Sequence, residues 1–241
     1  MIVLLTDFGQ GEYVGVMKVV IYNVNPNATI IDLCHDISPQ SIIEASWILK
    51  NNHNYFPDGS IFCCVVDPGV GSERKAIAVK TKRGYFVAPD NGLLWETLNE
   101  QNVVETRELT IPKNASRTFH GRDLFAKAAA EIDLGGFEDL GRKIDKIEKF
   151  QFHLKEREGI AVRIDRFGNI ITNLKSSNKQ TYSVETENKK YQMNFYPIYY
   201  AATENELFLI EGSCNTLEIS LKNDNANKQL HLKPGAKIKI I

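Results

Sequence analysis

An unbroken apolar run that ends in a carboxylate is the feature that most restricts how this chain can fold. Residues 61–66 are all apolar, and Asp67 follows them at the start of a Pro-Gly-Val-Gly turn. A strand buried on both faces is apolar at every position, as in a parallel sheet covered by helices. Ligands of open α/β sheets bind just beyond the carboxyl ends of such strands. Because an acid there costs stability unless it has a partner or a task, Asp67 is a candidate functional residue.

The first part of the chain alternates strand patterns with helix patterns. The predicted strands are residues 2–5, 29–34, 60–66, 76–81 and 85–88. The predicted helices are residues 13–23, 42–49, 93–98 and 122–132. The last two strands form a predicted hairpin around Lys82, Arg83 and Gly84. This alternation predicts an α/β domain over residues 1–150, with a mainly parallel sheet and helices on both faces.

The remaining residues, 151–241, have a different pattern. Their segments are short and β-like, they are separated by Gly, Asn, Ser and Lys clusters, and they lie at 160–164, 170–174, 181–184, 190–193, 207–210, 217–221 and 236–241. No long helical pattern remains in this part of the sequence. The pattern predicts an all-β C-terminal domain, either a small antiparallel barrel or a sandwich.

Composition excludes several classes of function. A formal net charge of -1 provides no field suited to nucleic acid or to an anionic membrane. No apolar run approaches the length of a membrane span, and the sequence begins directly with a strand pattern, so we expect neither a membrane segment nor a signal peptide. The four cysteines form no C-x-x-C pair, and two are adjacent in the apolar run. Reduced thiols in a cytoplasmic protein are therefore expected, rather than zinc ligands or disulfides.

Ionisable side chains follow three of the predicted strands. Asp7 follows the first, His35 and Asp36 follow the second, and Asp67 follows the third. If the strands are parallel, these groups lie on one edge of the sheet, where carboxylates suit hydroxyl-rich or cationic ligands. The alternative is that each acid caps the following helix or turn. A metal site at His35 and Asp36 has little support, and no metal ligands are predicted.

Two other sets of polar residues also allow either a functional role or an ordinary structural one. His120 stands just before a predicted helix, where free N–H groups attract anions or oxygen nucleophiles, but a lone loop histidine is more often an ordinary surface residue. Asp165, Phe167 and Asn169 follow a predicted strand of the second domain. They suit a polar ligand with a flat ring, and they suit an ordinary hairpin turn equally well.

Taken in order, the motifs around these residues resemble one enzyme family. They are LTDFG (5–9), HDI (35–37), VDPGVG (66–71), APDNG (88–92), FHGRD (119–123), DRFGNI (165–170), GS (212–213), LEI (217–219) and NA (225–226). This set resembles the S-adenosylmethionine (SAM) hydroxide adenosyltransferases, also called SAM hydrolases, which are related to the SAM-dependent fluorinase and chlorinase. Each motif alone is modest, but the ordered set is highly specific and spans nearly the whole chain.

The resemblance implies a reaction and a set of site residues. Hydroxide derived from water would attack the ribose C5′ of SAM, giving adenosine and L-methionine. The family's association implies the R-at-sulfur epimer of SAM as the substrate. The catalytic residues it implies are Asp67, Arg74 and His120. The substrate-binding residues it implies are Asp7, His35, Phe119, Asp165, Phe167, Asn169, Ser213, Glu218 and Ala226.

Further expectations follow from the same resemblance. The family assembles as a homotrimer, with SAM between the N-terminal domain of one subunit and the C-terminal domain of its neighbour. The reaction needs no metal or organic cofactor, and which of Asp67 and His120 takes the proton stays open. Two other functions also stay open: a catalytically silent sensor of SAM or adenosine, and a halide-using adenosyl transferase. A third reading is that the protein is structural and its acids are only caps.

Overall fold

The structure is a computed structural model that describes residues 1–187 and 189–241. It divides into two compact units, Met1–Gln151 and Phe152–Ile241. Each unit has its own apolar core, and each is described by itself below.

The first unit, whose residues are all described, contains a seven-stranded sheet. Its strands are β1 (Ile2–Thr6), β2 (Ile30–Cys34), β3 (Ser60–Val65), β4 (Ala76–Thr81), β5 (Gly84–Pro89), β6 (Val103–Glu108) and β7 (Arg142–Lys143). They lie in the order β2-β1-β3-β5-β4-β6-β7. All six residues of β3 are buried, and five of them belong to the apolar run 61–66.

The prediction of a mainly parallel sheet is wrong for half of its pairings, because the sheet is mixed. β2, β1, β3 and β5 are mutually parallel, whereas β4, β6 and β7 are joined by antiparallel pairings. The reason is the predicted hairpin, which is confirmed. Only Lys82 and Arg83 separate β4 from β5, and two residues cannot make the crossover that a parallel return requires. β7 is an edge strand of two residues and β6 lies beside it; both are largely polar, show no apolar alternation and lie outside the predicted strands.

Helices cover both faces of this sheet. They are α1 (Glu12–Val24), α2 (Ile42–Asn52), α3 (Trp95–Leu98) and α4 (Ala126–Asp133), with a π-helical turn at Gly121–Phe125 and 3₁₀ turns at His53–Tyr55 and Phe137–Asp139. Alternate residues of β1 point to opposite sides. Ile2 and Leu4 pack in the cluster that includes Met17 of α1, and Val3 and Leu5 pack in the cluster that includes Leu49 of α2.

The second unit is a closed β-barrel, which decides between the barrel and the sandwich. Its strands, in the part that the structure describes, are β8 (Glu158–Ile164), β9 (Ile170–Thr172), β10 (Thr181–Glu185), β11 (Lys190–Phe195), β12 (Leu207–Glu211), β13 (Leu217–Leu221) and β14 (Lys237–Ile240). They close in the order β10-β11-β12-β13-β9-β8-β14. The pairing of β11 with β12 is parallel and the others are antiparallel. A 3₁₀ turn (Tyr199–Ala201) precedes β12, and the short helix α5 (Asn227–Leu230) precedes β14.

No helix in the described ranges 1–187 and 189–241 is both long and apolar enough to cross a membrane.

The buried hydroxyl of Tyr182, in the core of the barrel, organises a loop. Tyr182 is fully buried, and its hydroxyl accepts hydrogen bonds from the backbone N–H groups of Ser177 (3.0 Å) and Lys179 (3.2 Å). Ser176 Oγ lies 3.0 Å from the same oxygen. We expect Tyr182→Phe to lower the free energy of unfolding of the barrel by about 1–2 kcal/mol, because these groups lose a buried partner.

Urea unfolding followed by far-ultraviolet circular dichroism measures this loss. Tyr22→Phe is the matched control, since Tyr22 is exposed on α1 and the same change there should stay within about 0.5 kcal/mol. Equal stability of the two variants would contradict the importance of the Tyr182 hydroxyl.

Candidate active site

The turn between β3 and β4 carries the first two predicted catalytic residues and folds them against each other. Asp67 begins the turn, and its carbonyl accepts a hydrogen bond from Val70 N at 3.2 Å. Gly71 has a φ of 78°, which favours glycine, and Ser72 N bonds to the Gly69 carbonyl at 3.1 Å. The chain therefore reverses and brings Arg74 back to Asp67.

Asp67 and Arg74 form a bidentate pair that is almost fully buried. Arg74 Nε donates to Asp67 Oδ1 at 2.9 Å, and Arg74 Nη2 donates to Asp67 Oδ2. The two side chains are 6% and 10% exposed, respectively. The guanidinium also lies over the ring of Phe125, 5.3 Å from its centroid. Two parallel charge-assisted bonds fix the carboxylate in one plane.

His120 joins this pair through the same guanidinium. Arg74 Nη2 lies 2.9 Å from His120 Nδ1. Because a guanidinium only donates, Nδ1 must be the accepting nitrogen, and the ring proton of the neutral imidazole is then on Nε2. Burial, and then the charge of Arg74, lower the pKa of His120, although Asp67 and Asp123 act in the opposite direction. The imidazole is therefore neutral at pH 7, with Nε2–H as its free group.

Local packing holds the segment that carries His120 against the β3–β4 turn. His120 directly precedes the π-helical turn Gly121–Phe125, and π-helical turns are frequent at functional sites. The Arg117 carbonyl packs so closely on Gly71 that a Cβ there would overlap it. A Cβ on Gly121 would crowd Phe119, Met17 and Phe8. These close approaches explain why glycine occupies both positions.

A cavity of about 300 Å³ in the first unit opens beside these groups. Asp67, His120, Asp7 and Phe119 line it together with Phe8, Tyr13 and Gln40, which were not among the predicted site residues. The rings of Phe8, Tyr13 and Phe119 form a triangle with centroids 5.1–5.8 Å apart. A carboxylate and a neutral imidazole thus face an aromatic wall, an arrangement that suits an organic ligand with hydroxyl groups.

Asp7 has one carboxylate oxygen engaged and one available. Gln40 N donates to Asp7 Oδ2 at 2.7 Å. The other predicted residue at this sheet edge, His35, does not line the cavity. Its Nδ1 lies 2.8 Å from Thr6 Oγ1, its Nε2 lies 3.2 Å from Asp32 Oδ1, and its carbonyl accepts from Gly9 N at 2.8 Å. In this position His35 supports the loop that carries Asp7, and its role in substrate binding stays a prediction.

The second unit brings most of its predicted residues together around one open groove. The groove has a volume of about 1630 Å³, and the predicted residues that line it are Asp165, Phe167, Asn169, Ser213 and Glu218. Ala226 is buried and does not line it. Ala226 belongs to the segment that backs the β8–β9 turn, since Asn227 N bonds to the Gly168 carbonyl at 3.0 Å.

Hydrogen bonds within the β8–β9 turn make it rigid. Asp165 Oδ1 accepts from Phe167 N and Asn169 N, both at 2.9 Å, and Asp165 Oδ2 accepts from Asn169 Nδ2 at 2.9 Å. Gly168 has a φ of 86° and packs on the Asn225 side chain. Phe167 is left 76% exposed at the tip. The β8–β9 segment therefore forms a hairpin turn and also exposes the ring of Phe167 to solvent.

Tyr199 is a groove residue that the sequence analysis missed. Its hydroxyl donates to Glu218 Oε2 at 3.0 Å. Burial, and then the charge of Glu218, raise the pKa of Tyr199 to about 12. Burial also raises the pKa of Glu218, and a Cβ on Gly212 would overlap its carboxylate. The adjacent tyrosines 199 and 200 in a loop were the signal in the sequence.

The described part of the chain contains no group of three or more His, Cys, Asp or Glu side chains arranged to hold a metal ion. Cys34, Cys63, Cys64 and Cys214 all lie in the described part of the chain, and none of them forms a disulfide bond there.

Comparison with known proteins identifies relatives over the whole chain. The family model described as SAM hydroxide adenosyltransferase N-terminal domain matches residues 2–141, and the model for the C-terminal domain matches residues 159–239. A protein of Methanocaldococcus jannaschii named (R)-S-adenosyl-L-methionine hydrolase is 38% identical, over 100% of this chain and 95% of its own. A protein of Nocardia brasiliensis named fluorinase is 26% identical, over 72% of this chain and 70% of its own.

A solved structure is also similar over its full length. It is the crystal structure of an uncharacterized conserved protein from Thermotoga maritima, with a TM-score of 0.91 and 36% identity, and the match covers 100% of both chains.

The contact between Arg74 and His120 makes a testable prediction about titration. Arg74→Met removes the guanidinium charge that lowers the pKa of His120 and leaves the charge of Asp67, which raises it. We therefore expect the pKa of His120 to rise in this variant. Titration of the histidine ring resonances by NMR measures the change, and the other histidines should titrate as in the unsubstituted protein. An unchanged or lower pKa of His120 would show that Arg74 does not set its ionisation.

Proposed function

Because the chain belongs to the SAM hydroxide adenosyltransferase family, we propose that it is an (R)-SAM hydrolase that forms adenosine and L-methionine. The observation that carries the proposal is the bonded set of Asp67, Arg74 and His120 beside the cavity of the first unit. These groups supply an acceptor for the proton of a water molecule, a fixed positive charge and a neutral N–H donor.

The reaction is a displacement at the ribose C5′ of SAM. A bond forms between the oxygen of water and C5′, and the bond between C5′ and sulfur breaks. The electron pair of that bond goes to sulfur, so the sulfonium becomes the neutral thioether of methionine, and the water loses one proton. A neutral thioether leaves without a general acid, so the difficult step is activation of a poor nucleophile. A positioned base contributes about 10²–10⁴-fold to such a step.

We assign the base role to Asp67. Nδ1 of His120 is occupied by the Arg74 donor and its Nε2 carries the proton, so the neutral imidazole has no free acceptor. Each oxygen of Asp67 receives one bond from Arg74 and keeps further acceptor capacity. In the proposed mechanism the water donates to Asp67 while His120 Nε2–H holds its oxygen in line with C5′ and sulfur. Arg74 stabilises the hydroxide character that develops, and positioning of this kind contributes further to the rate.

The same charge distribution favours water over halide. The relatives named fluorinase share 23–26% identity with this chain. A carboxylate at Asp67 repels fluoride or chloride at the place where the nucleophile must stand, and it attracts the proton of water. Hydrolysis is therefore the proposed reaction, and halide transfer is not.

The substrate contacts of the proposal use both units. Asp7, with one free oxygen, would hold the ribose hydroxyls, and Phe119 in its aromatic triangle would pack on the nucleoside. In the second unit, the proposed contacts to the methionine end are Asp165, Ser213 and Glu218, and those to adenine are Phe167, Asn169 and the backbone near Ala226. Their common groove supports this assignment for all but Ala226.

We also propose an oligomeric state, a cofactor requirement and a cellular location for the enzyme. The family resemblance leads us to propose a homotrimer in which SAM binds between the first unit of one subunit and the second unit of its neighbour. The chemistry described above requires no metal or organic cofactor, because SAM itself supplies the leaving group. We place the enzyme in the cytoplasm, a reducing compartment in which cysteines outside disulfide bonds are the rule.

The central experiment is incubation of the purified protein with SAM racemised at sulfur. We expect stoichiometric adenosine and methionine by chromatography, with loss of the R epimer and retention of the S epimer. Binding without turnover would instead identify a sensor of SAM or adenosine. Calorimetry without any affinity for SAM or adenosine would leave only a structural role.

We expect Asp67→Asn to reduce kcat by about 10²–10⁴-fold with KM changed only slightly, because the amide keeps the shape but cannot take the proton. Glu108→Gln is the matched control. Arg142 donates to Glu108 through Nε and Nη2 at 3.2 and 2.9 Å, away from the cavity, and its loss should leave kcat unchanged. If Asp67→Asn retains full turnover, Asp67 is not the base.

Asp7 should act on binding rather than on chemistry. Asp7→Asn keeps an acceptor for Gln40 N but loses the charge that holds the ribose hydroxyls, so we expect KM to rise about 10-fold or more with a smaller change in kcat. Asp36→Asn is the control, since Asp36 is exposed at the neighbouring strand end. Steady-state kinetics of adenosine release distinguish the two, and an unchanged KM in Asp7→Asn would remove Asp7 from the substrate site.

A further inference from the structure

The mixed sheet places the turn that carries Asp67 and Arg74 beside the carboxyl end of β5. The residues of β5 and those that follow it have no role in the mechanism proposed above. β5 lies between β3 and β4, and Ala76, the first residue of β4, pairs with Pro89, the last residue of β5. Residues 66–75 therefore pass across the carboxyl end of β5 on their way from β3 to β4. The residues that follow β5, Asp90 and Asn91, lie under this connection.

Asp90 and Asn91 hold the connection at both of its ends. Asp90 N donates to the carbonyl of Lys75 at 2.8 Å, and Lys75 directly follows Arg74. Asn91 Nδ2 donates to the carbonyl of Val66 at 2.9 Å, and Val66 directly precedes Asp67. We call these two residues the Asp90–Asn91 clamp.

The side chain of Asn91 takes the place of a missing backbone bond. The parallel pairing of β3 with β5 runs from Ser60 with Gly84 to Cys63 with Val87, and Pro89 then provides no N–H. Val66 is 0% exposed, so its carbonyl needs a donor from the protein. Asn91 Oδ1 accepts from Leu93 N at 3.2 Å, which fixes the amide with its NH₂ group toward Val66.

We propose that Asn91 is a positioning residue for the hydrolysis of SAM, acting through the peptide group that joins Val66 to Asp67; this inference rests on the proposed function. The side chain of Asp67 is held by Arg74 at its carboxylate and by the backbone at its Cα. Without the bond from Asn91, that peptide plane is free to rotate and to carry the carboxylate out of line with the water. Displacements of about 1 Å at a reacting group cost on the order of 10²-fold in rate.

The experiment uses two substitutions of Asn91 in the full chain. Asn91→Ala removes the donor and the volume, and Asn91→Asp keeps the volume and the acceptor for Leu93 N but removes the donor. We expect both to lower kcat by about 10–100-fold with KM within about twofold, because Asn91 acts on the nucleophile side and does not line the cavity. Circular dichroism and melting temperature establish that both variants are folded at the assay temperature.

Asn52→Ala is the matched control. Asn52 Nδ2 donates to the Ile48 carbonyl at 2.8 Å, which is the same type of bond in the same unit but remote from the turn. Its loss should leave kcat unchanged. Hydrogen–deuterium exchange provides a second readout that does not depend on activity. The amides of residues 67–75 should exchange faster in the Asn91 variants than in Asn52→Ala or the unsubstituted protein.

Each outcome has one meaning. A fall in kcat with KM retained and faster exchange of residues 67–75 supports the proposal. A kcat within twofold of the unsubstituted protein overturns it, as does an equal loss in Asn52→Ala, a rise in KM alone, or failure of both Asn91 variants to fold. If the unsubstituted protein releases no adenosine, the proposed function fails, and exchange alone then decides whether the clamp holds the turn.

Discussion

A carboxylate and a guanidinium that bury each other at the end of a strand determine the arrangement of the candidate active site. Asp67 and Arg74 lose nearly all of their contact with water, and either charge alone would be strongly destabilising there. Two aligned hydrogen bonds compensate for that loss. The same guanidinium then donates to Nδ1 of His120 and thereby determines which ring nitrogen carries the proton. This one ion pair thus fixes both the plane of the Asp67 carboxylate and the tautomer of the His120 imidazole.

Much of this arrangement could be expected from the sequence, because its determinants are local. The apolar run before Asp67 indicated a buried strand, and the glycine turn made it reasonable that Arg74, seven residues later, returns to Asp67. The contact of His120 with Arg74 spans 46 residues and depends on the packing of the segment before α4, so no spacing indicates it. Its place in the site was expected only from the family resemblance. The hairpin of β4 and β5 was predicted, whereas the antiparallel pairings of β6 and β7 were missed because these strands are largely polar and show no apolar alternation.

In the second unit, the sequence could not separate two roles that the same residues suit, a turn and a ligand contact. Asp165 and Asn169 suit a hairpin turn and a polar ligand equally well, and in the structure their hydrogen bonds close the turn. That closure leaves Phe167 exposed at the tip of a rigid segment. Tyr199 was missed for a different reason. Its partner Glu218 lies on β13 and Tyr199 lies in the 3₁₀ turn before β12, so the two residues become neighbours only when the barrel has formed.

The antiparallel direction of β4 has a consequence for the order in which the first unit folds. A parallel return would have required a crossover helix between Asp67 and Arg74, and their contact would have been distant in sequence. In this chain Asp67 and Arg74 meet within one short connection, where loop closure is fast and its entropy cost is small. Contacts of low sequence separation form readily, whereas the contact of Arg74 with His120 spans 46 residues and also requires the segment before α4 to be packed. The burial of each charge is therefore compensated by a partner only seven residues away, and this pairing does not depend on any long-range contact.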